Sequence, residues 1–369
     1  MTAKTASKSG QKRTSNFIVN GTLIFICLLW TIPTIGVLVT SFRDSRDIFT
    51  TGWWTVLPHM GLVDAGEIKL EDSVDVNGPI EIEGVTHTFQ EWREGITMPD
   101  GRTITWFGNK RTRLLKIQED QWQWFSTNLT LENYKNVLTG QDISYKDAEG
   151  LTIVRKGSNF SVAVLNSLAV AVPATIIPIL IAAFAAYGFA WINFPGRKFF
   201  FTIVVALLVV PLQLALVPIL QDYTRLGLNG TYLAMWLAHT GFGLPLAVYL
   251  MFNYISTLPR DILESAFIDG ASNFTIFIKL ILPLSVPALA SFAIFQFLWV
   301  WNDYLVALVF LGDQNRVVTM ALAAMVGEKG ADWHLLTSGA FISMILPLTI
   351  FFALQRYFVR GMMAGSVKG

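Results

Sequence analysis

The sequence has 369 residues, of which 53% are hydrophobic and 14% are charged, and its formal net charge is +1. This composition is too apolar for an ordinary soluble domain and is typical of an integral membrane protein. The near-neutral charge indicates no nucleic-acid partner. The single cysteine, Cys27, lies in an apolar stretch and cannot form a disulfide within the chain, so it carries no information on the redox compartment.

Six long apolar stretches follow one another along the chain. A transmembrane helix needs about 20 apolar residues, because each residue advances about 1.5 Å across a hydrocarbon core about 30 Å thick. The second stretch is longer than a bilayer requires, and Pro173 and Pro178 are positions at which it can bend. The sequence therefore predicts six transmembrane helices, at residues 17–41, 161–192, 199–220, 232–254, 286–310 and 338–357.

Lysine and arginine are distributed unevenly between the two sides of this arrangement. They are frequent at both termini and in the loops that share a side with them, whereas the short loops on the other side hold few. The positive-inside rule then places the N-terminus at 1–16, the loop at 255–284 and the tail at 359–369 in the cytoplasm. The first apolar stretch is too long for a secretory signal and has no small-residue cleavage site, so we interpret it as a retained anchor.

The polar segment at 42–158, between the first two predicted helices, is expected outside the cytoplasm, and a core with the other five predicted helices follows at 159–358. Apolar and polar residues alternate at 80–85 and 102–108, which predicts short strands that end in glycine turns. Tryptophan and phenylalanine are frequent in this segment, and they favour a small folded β-rich module of about 60 to 70 residues. The alternative is a long solvated loop with little fixed structure.

Several common functional signatures are missing from the sequence. It has no G-x-x-x-x-G-K-S/T phosphate loop, nucleophile-elbow serine or potassium-selective filter, and its four histidines are scattered without metal-ligand spacing. We therefore expect no catalytic, metal or cofactor site in this chain. Six helices are also few for a secondary carrier, which usually builds inverted repeats around a midplane site. A chain of this kind more naturally supplies half of a pore.

Polar residues inside the apolar stretches mark a candidate translocation path, because polar groups in hydrocarbon are costly unless they face a bundle interior or water. The fifth stretch carries aromatic side chains next to Asp303, the only acid in any predicted span. Sugars present C–H faces that stack on aromatic rings and hydroxyls that suit amide and carboxylate groups. The alternative is a structural role in helix–helix hydrogen bonds and interfacial anchoring. The candidate path residues are Gln213, Asn253, Gln296, Trp299, Asn302, Asp303 and Tyr304.

The loop at 255–284 contains signals for two helices joined by a turn. Proline and acidic residues at 259–264 indicate a helix start. Apolar residues then recur at helical spacing up to Gly270, and a second helix can run from there toward Pro283. This predicts a helical elbow outside the membrane, with small residues that let another surface approach. From physics alone, such an elbow is more often a plain connector than a docking site.

The same loop resembles the cytoplasmic E-A-A motif of inner-membrane permeases in binding-protein-dependent ABC importers. Glu264-Ser265-Ala266, then Gly270, then Leu282-Pro283 stand at the spacing of that motif. Two positions depart from it, because Ser265 replaces an alanine and Leu280 an isoleucine. Further stretches are similar to the G subunit of the maltose-type carbohydrate permeases: 129–134, 194–197, 301–304 and 359–369. Two more, 229–232 and 238–245, are similar to the α-glucoside branch of these permeases.

This resemblance implies an all-α polytopic membrane protein with the type I ABC importer permease fold, six transmembrane helices and a small β-rich extracytoplasmic insertion. It implies a location in the bacterial inner membrane. The implied partners are a second permease subunit, two ATP-binding subunits that carry ATP and Mg, and an extracytoplasmic sugar-binding protein. The elbow would dock in a cleft of the ATPase. The residues that the resemblance assigns to this contact, with Asp269 added as a polar contact, are Glu264, Ala266, Asp269, Gly270, Leu282 and Pro283.

The resemblance leaves some alternatives open. In the maltose-type system the other permease subunit holds most of the sugar, so Asn302 and Asp303 could serve the structure alone. The cargo could be an α-glucoside such as maltose, sucrose or trehalose, a longer glucoside or a compatible solute. The other functional classes that we consider are a stand-alone channel or secondary carrier and a membrane receptor or scaffold.

Overall fold

The structure is a computed structural model that describes residues 3–44, 47–48, 51–124, 129–140, 143–146, 152–155, 159–326 and 333–363. The chain divides into two compact units. One consists of residues 1–39 and 43–130, and the other of residues 40–42 and 131–369.

The first unit holds most of helix α1, Ala3–Ser41, and a small β structure. An antiparallel four-stranded sheet has the order β1 (His59–Lys69), β6 (Leu114–Gln123), β5 (Thr103–Phe107) and β4 (Ile96–Thr97), and a separate hairpin pairs β2 (Ile80–Ile82) with β3 (Val85–His87). The hairpin turns through Glu83 and Gly84, which both have positive φ (47° and 81°), as a two-residue type I′ turn requires. The elements are β1 His59–Lys69, β2 Ile80–Ile82, β3 Val85–His87, α2 Phe89–Glu94, β4 Ile96–Thr97, β5 Thr103–Phe107 and β6 Leu114–Gln123.

A compact apolar core holds this β structure together. Trp92 on α2 is fully buried, and its indole N–H donates to the backbone oxygen of Ile80 at 3.1 Å. Ile104 and Leu115 pack into the same cluster from β5 and β6. The alternation of apolar and polar residues in β2 and β5 therefore directs one face of each strand into the core. The longer strands β1 and β6 carry many polar residues and bury few side chains.

The acidic side chains of this unit make its stability depend on pH. A hydrogen bond from Lys116 (2.7 Å) lowers the pKa of Asp64, and the backbone N–H of Thr88 lowers the pKa of Glu91. A carboxyl group whose pKa is lowered by folding stabilises the folded state above its unfolded pKa, and this contribution is lost as the pH falls through the folded pKa. We expect protease sensitivity within 59–123 to rise as the pH drops below the ordinary carboxyl range, and Asp64→Asn to weaken this dependence.

Limited proteolysis of the full-length chain in detergent, at a series of pH values, measures this effect. Asp120→Asn is the matched control, because that side chain is exposed on β6 of the same sheet. An unchanged pH profile in Asp64→Asn would contradict the assignment.

The second unit is built from helices and one short hairpin. Helices α4 (Phe160–Trp191) and α7 (Tyr232–Ile255) pack along faces rich in alanine, and small side chains let transmembrane helices approach closely. The elements are α3 Glu132–Thr139, β7 Ile143–Lys146, β8 Thr152–Arg155, α4 Phe160–Trp191, α5 Arg197–Leu207, α6 Leu212–Arg225, α7 Tyr232–Ile255, α8 Arg260–Ile268, α9 Asn273–Ile276, a π-helical segment Phe277–Ile281, α10 Leu282–Trp301, α11 Leu305–Phe310, α12 Val318–Met325 and α13 Trp333–Met363.

Within the described ranges, four helices are long and apolar enough to cross a membrane. They are Asn16–Ser41, Phe160–Trp191, Tyr232–Ile255 and Trp333–Tyr357. Two further pairs pass the same test together but are bent, by 100° between α5 and α6 and by 70° between Asn273–Leu284 and Val286–Trp301. The chain therefore has up to six crossings if each bent pair counts as one.

Two predicted spans are wrong in detail. The span at 199–220 is not one helix, because the chain breaks before Pro211, which has no backbone N–H to continue the hydrogen-bond ladder. The span at 286–310 is also interrupted, since α10 ends at Trp301 and α11 begins at Leu305. Asp303 causes a new helix start there: its carboxylate accepts from the N–H groups of Val306 (3.4 Å) and Ala307 (3.1 Å).

Candidate functional site: a helical elbow and a polar helix face

The elbow, residues 259–283, begins with a short helix that ends in a glycine turn. Helix α8 stops at Ile268, and Gly270 follows with φ of +76°. The N–H of Ala271 donates to the oxygen of Ala266, and the N–H of Gly270 to the oxygen of Phe267, each at 3.0 Å. This pair of bonds is the Schellman motif, in which a left-handed residue satisfies the last helical carbonyls. Glycine is favoured at that position because it has no Cβ.

The second arm of the elbow starts at once after this turn. The Ser272 hydroxyl accepts from the N–H of Thr275 at 3.2 Å and caps α9. The chain then runs through the π-helical segment into α10 and bends near Pro283. The structure confirms the two predicted helical arms and the turn at Gly270, whereas their docking role stays a prediction.

One side of the elbow is anchored and the other is exposed. Leu263, Ile276 and Ile281 are buried in a cluster with α4 and α7. The predicted contact residues Glu264, Asp269, Gly270 and Pro283 are exposed, while Ala266 and Leu282 are half-buried. This surface has a strongly apolar tip at Ile268 (86% exposed) and Phe274 (65% exposed), and neither residue was among the predicted contacts. The sequence shows these two large apolar residues on either side of a helix-ending glycine, but it does not show that they are exposed.

The second candidate site is one face of α10 and its C-terminal break. Trp299, Asn302, Asp303 and Tyr304 line a groove of about 700 Å³, which we call the aspartate groove. Trp299 and Gln296 line a second space of about 510 Å³, the glutamine cavity. Because Trp299 lines both spaces, the structure brings five of the predicted path residues together around the C-terminal end of α10.

Two predicted path residues lie elsewhere. Gln213 on α6 and Asn253 near the end of α7 are both exposed, and neither lines the groove or the cavity. Asn302 also has a local role, because its side-chain amide donates to the oxygen of Leu298 at 2.8 Å. The neighbouring Trp301 faces away from the groove and donates to the oxygen of Ser343 at 3.1 Å.

His239 on α7 also belongs to this site, although it was not among the predicted path residues. It is fully buried, its Nε2 lies 3.7 Å from a carboxylate oxygen of Asp303, and its ring meets Trp299 edge-on at 5.3 Å. Neither ring nitrogen has a hydrogen-bond partner among the residues that the structure describes. An ionisable residue inside an apolar stretch was the available signal, since such residues are costly and usually functional.

A family model identifies the chain. Residues 168–364 match the model of the binding-protein-dependent transport system inner membrane component family. The chain belongs to this family. The predicted resemblance to ABC importer permeases is thereby confirmed, and the protein is a multi-pass inner-membrane permease. ABC permease subunits are not enzymes, since a partner ATPase hydrolyses the ATP.

Two relatives are similar to this chain over nearly its whole length, and one solved structure shares its fold. The osmoprotective compounds uptake permease protein GgtD of Synechocystis sp. is 46% identical over 94% of this chain and 90% of its own. The alpha-glucoside transport system permease protein AglG of Rhizobium meliloti is 46% identical over 95% of this chain and 97% of its own. The crystal structure of a bacterial ABC transporter for import of the acidic polysaccharide alginate aligns with a TM-score of 0.59 at 17% identity, covering 94% of this chain and 98% of that chain. This last likeness shows the ABC importer permease fold.

Proposed function

We propose that this permease forms half of the translocation path of an ATP-driven importer for an uncharged polyhydroxy solute, in the first place an α-glucoside. The observation that carries the proposal is the aspartate groove. Trp299 offers an aromatic face, and Asn302 and Asp303 offer polar groups beside it. Such a combination suits a ring with C–H faces and hydroxyls. The relative named for α-glucoside transport, at 46% identity over nearly the whole chain, supports the solute class.

A compatible solute is the second candidate cargo. The relative named for osmoprotective compounds is equally similar to this permease at 46% identity. Trehalose and sucrose are chemically acceptable to the same groove, as is a smaller polyol, so the two candidates differ in the size of the solute and not in the kind of recognition.

The elbow is proposed to couple the path to the ATPase. Its inner side is fixed by buried Leu263, Ile276 and Ile281 to the cluster that also contains α4 and α7. A force on its exposed side, at Glu264, Asp269 and Gly270, would therefore displace α4 and α7 together with the elbow. The half-buried Ala266 and Leu282 and the exposed Pro283 shape the surface next to those residues.

The assembly that follows has six crossings, both termini in the cytoplasm and the insertion at 42–158 outside. Each bent pair of helices then counts as one crossing. We propose as partners a second permease subunit, two ATP-binding subunits that hold ATP and Mg, and an extracytoplasmic binding protein. The insertion is proposed to help seat the binding protein.

Reconstitution into proteoliposomes tests this function. The complete importer, with binding protein and ATP, is expected to take up radiolabelled trehalose, sucrose or maltose, and the permease alone to take up none of them. A matched complex with an ATPase subunit that cannot hydrolyse ATP is the control. Rapid solute flux through the isolated permease would contradict the proposal and indicate a channel or carrier. Solute binding without uptake by the complete importer would indicate a receptor.

A further inference from the structure

A concave pocket of about 650 Å³ lies in the insertion, between helix α2 and the loop that joins β5 to β6. Three cationic residues line it, Arg93 from α2 and Lys110 and Arg111 from the loop, and none of the described residues that line it is acidic. We call this space the basic pocket. It lies wholly within the first unit of the chain. Its lining residues are Phe89, Arg93, Gly108, Asn109, Lys110 and Arg111.

The three cations of the basic pocket lack a counter-charge. All three residues are exposed, and none of the ion pairs in the described ranges includes Arg93, Lys110 or Arg111. The acidic side chains on the same helix are occupied, because Glu91 accepts from the N-cap of α2 at 2.7 Å and Glu94 accepts from another α2 side chain at 3.3 Å. Converging like charges raise the local positive potential. The pocket therefore favours an anionic group.

The backbone of the loop is fixed by its own hydrogen bonds. The backbone oxygen of Asn109 accepts from the indole N–H of Trp106 at 3.0 Å and from the hydroxyl of Thr112 at 2.6 Å. The side-chain oxygen of Asn109 accepts from the N–H of Arg111 at 2.9 Å. The ring of Phe89 meets the same Trp106 edge-on at 5.1 Å. A partner thus meets a pocket that needs little ordering, which lowers the entropy cost of binding.

Lys110 is held in place by two uncharged groups. Its Nζ donates to the side-chain oxygen of Asn77 at 3.0 Å and lies 5.2 Å from the centre of the Phe89 ring. Neither contact neutralises the ammonium charge, and an ammonium group has three N–H donors. Lys110 therefore keeps its charge and further donors for an anionic acceptor, at a defined place in the pocket.

The charge of the whole β structure distinguishes between two kinds of anionic partner. Residues 59–123 carry twelve acidic and seven basic side chains, a formal net charge of −5. The field of such a module repels an anionic bilayer surface, which attracts proteins through an excess of basic residues. A single acidic side chain that projects into the basic pocket instead meets the cations at short range, where they outweigh the more distant acids. A concave pocket also suits a projecting loop better than a flat lipid surface.

We infer that the basic pocket is the contact surface of the insertion for the extracytoplasmic binding protein, and that it receives a loop of that protein with an exposed aspartate or glutamate. This inference rests on the proposed function and deepens it, because it names the surface and the chemistry of the docking step. Arg93 and Arg111 offer planar guanidinium groups that can hold a carboxylate through two N–H groups, and Lys110 offers a point charge beside them. Exposed charge pairs of this kind raise the rate of association and set the orientation more than they raise affinity.

Charge reversal in the complete importer, reconstituted in phosphatidylcholine vesicles, tests the pocket. The binding protein is saturated with whichever of trehalose, sucrose and maltose the importer takes up, and its concentration at half-maximal stimulation of ATP hydrolysis is measured. Arg111→Glu is expected to raise this concentration about tenfold at an unchanged maximal rate, because repulsion replaces attraction. Lys69→Glu is the matched control, since Lys69 is exposed on the same module but does not line the pocket. Limited proteolysis within 59–123 checks that both variants keep the fold.

Cross-linking at Lys110 identifies the partner without changing the sequence of the permease. A water-soluble carbodiimide condenses a lysine amine with a carboxylate in contact with it. The amide bond forms between Nζ and the carboxyl carbon, and the carbodiimide takes up the released water and leaves as a urea. Mass spectrometry should find a peptide that links Lys110 to an aspartate or glutamate of the binding protein. Lys110→Arg should keep the stimulation but lose this peptide, because it keeps the charge and has no amine to couple.

A higher half-maximal concentration in Arg111→Glu but not in Lys69→Glu, together with the Lys110 cross-link, supports the contact. Equal concentrations in the two variants, or cross-links of the binding protein to other lysines alone, would overturn it. An effect of Arg111→Glu that requires vesicles with anionic phosphatidylglycerol would also overturn it, and would assign the pocket to lipid headgroups. A binding protein that does not stimulate ATP hydrolysis by the wild-type importer would instead overturn the proposed function, and this inference with it.

Discussion

Replacement of Gly270 by tryptophan is expected to abolish uptake by the assembled importer while the permease still inserts and folds. Gly270 has φ of +76°, where a non-glycine residue costs about 1–2 kcal/mol. An added Cβ there meets no atom of this chain within 4 Å. The indole would therefore project from the exposed side of the elbow, at the surface that we propose presses against the ATPase, and its bulk would prevent the close approach.

The control for this variant is Gly312→Trp. Gly312 has the same left-handed backbone (φ +64°) and the same open surroundings, but it lies beyond α11 and outside the elbow. Gly270→Ala, which adds strain with little bulk, should keep part of the uptake. Uptake by proteoliposomes and co-purification of the ATPase subunit measure the effect. Normal uptake in Gly270→Trp would remove the elbow from the coupling mechanism and favour a receptor or scaffold.

The elbow could be predicted from the sequence because its signals are local. A proline at the helix start, acids in the first turn and a glycine at the end each act within a few residues. The Schellman bonds at Gly270 are formed by the same short stretch that contains the glycine. The apolar tip at Ile268 could not be recognised as exposed, since exposure depends on which side of α8 meets the other helices.

The helix breaks could not be placed from hydropathy. An apolar stretch of 25 residues predicts a span whether or not the helix is continuous, and residues 302–304 interrupt it only because Asp303 caps the following turn. The contact of His239 with Asp303 joins residues far apart in the sequence, and so does the bridge from Gln296 to Ala174. A single sequence gives no measure of such distances, so it could name candidate path residues but not their arrangement.

The strands of the β structure could likewise be predicted only in part. Alternation located the short strands at 80–85 and near 103–107, but β1 and β6, the longest strands, carry many polar residues and lack clear alternation. Their pairing, which runs from His59 opposite Gln123 to Lys69 opposite Leu114, closes the loop at 70–113, and nothing local in the sequence specifies that register.

The second large effect is expected for Trp92→Ala, which should unfold the β structure at 59–123. Trp92 is fully buried at the centre of its core and holds Ile80 through the indole N–H. Such a truncation costs about 3–5 kcal/mol, which is comparable to the whole stability of a module of this size. Trp92→Phe should cost less, because it keeps most of the volume and loses mainly one hydrogen bond worth about 1 kcal/mol.

Limited proteolysis of the full-length permease in detergent should then show cleavage within 59–123 in Trp92→Ala, and none in Trp124→Ala, whose side chain is 69% exposed. If the insertion seats the binding protein, Trp92→Ala should also lose binding-protein-stimulated ATP hydrolysis, because a docking surface on an unfolded module has no fixed shape. Basal ATP hydrolysis should remain, since the elbow does not depend on that core. If the binding protein still stimulates ATP hydrolysis in Trp92→Ala although the module at 59–123 is unfolded, the binding protein docks elsewhere on the permease.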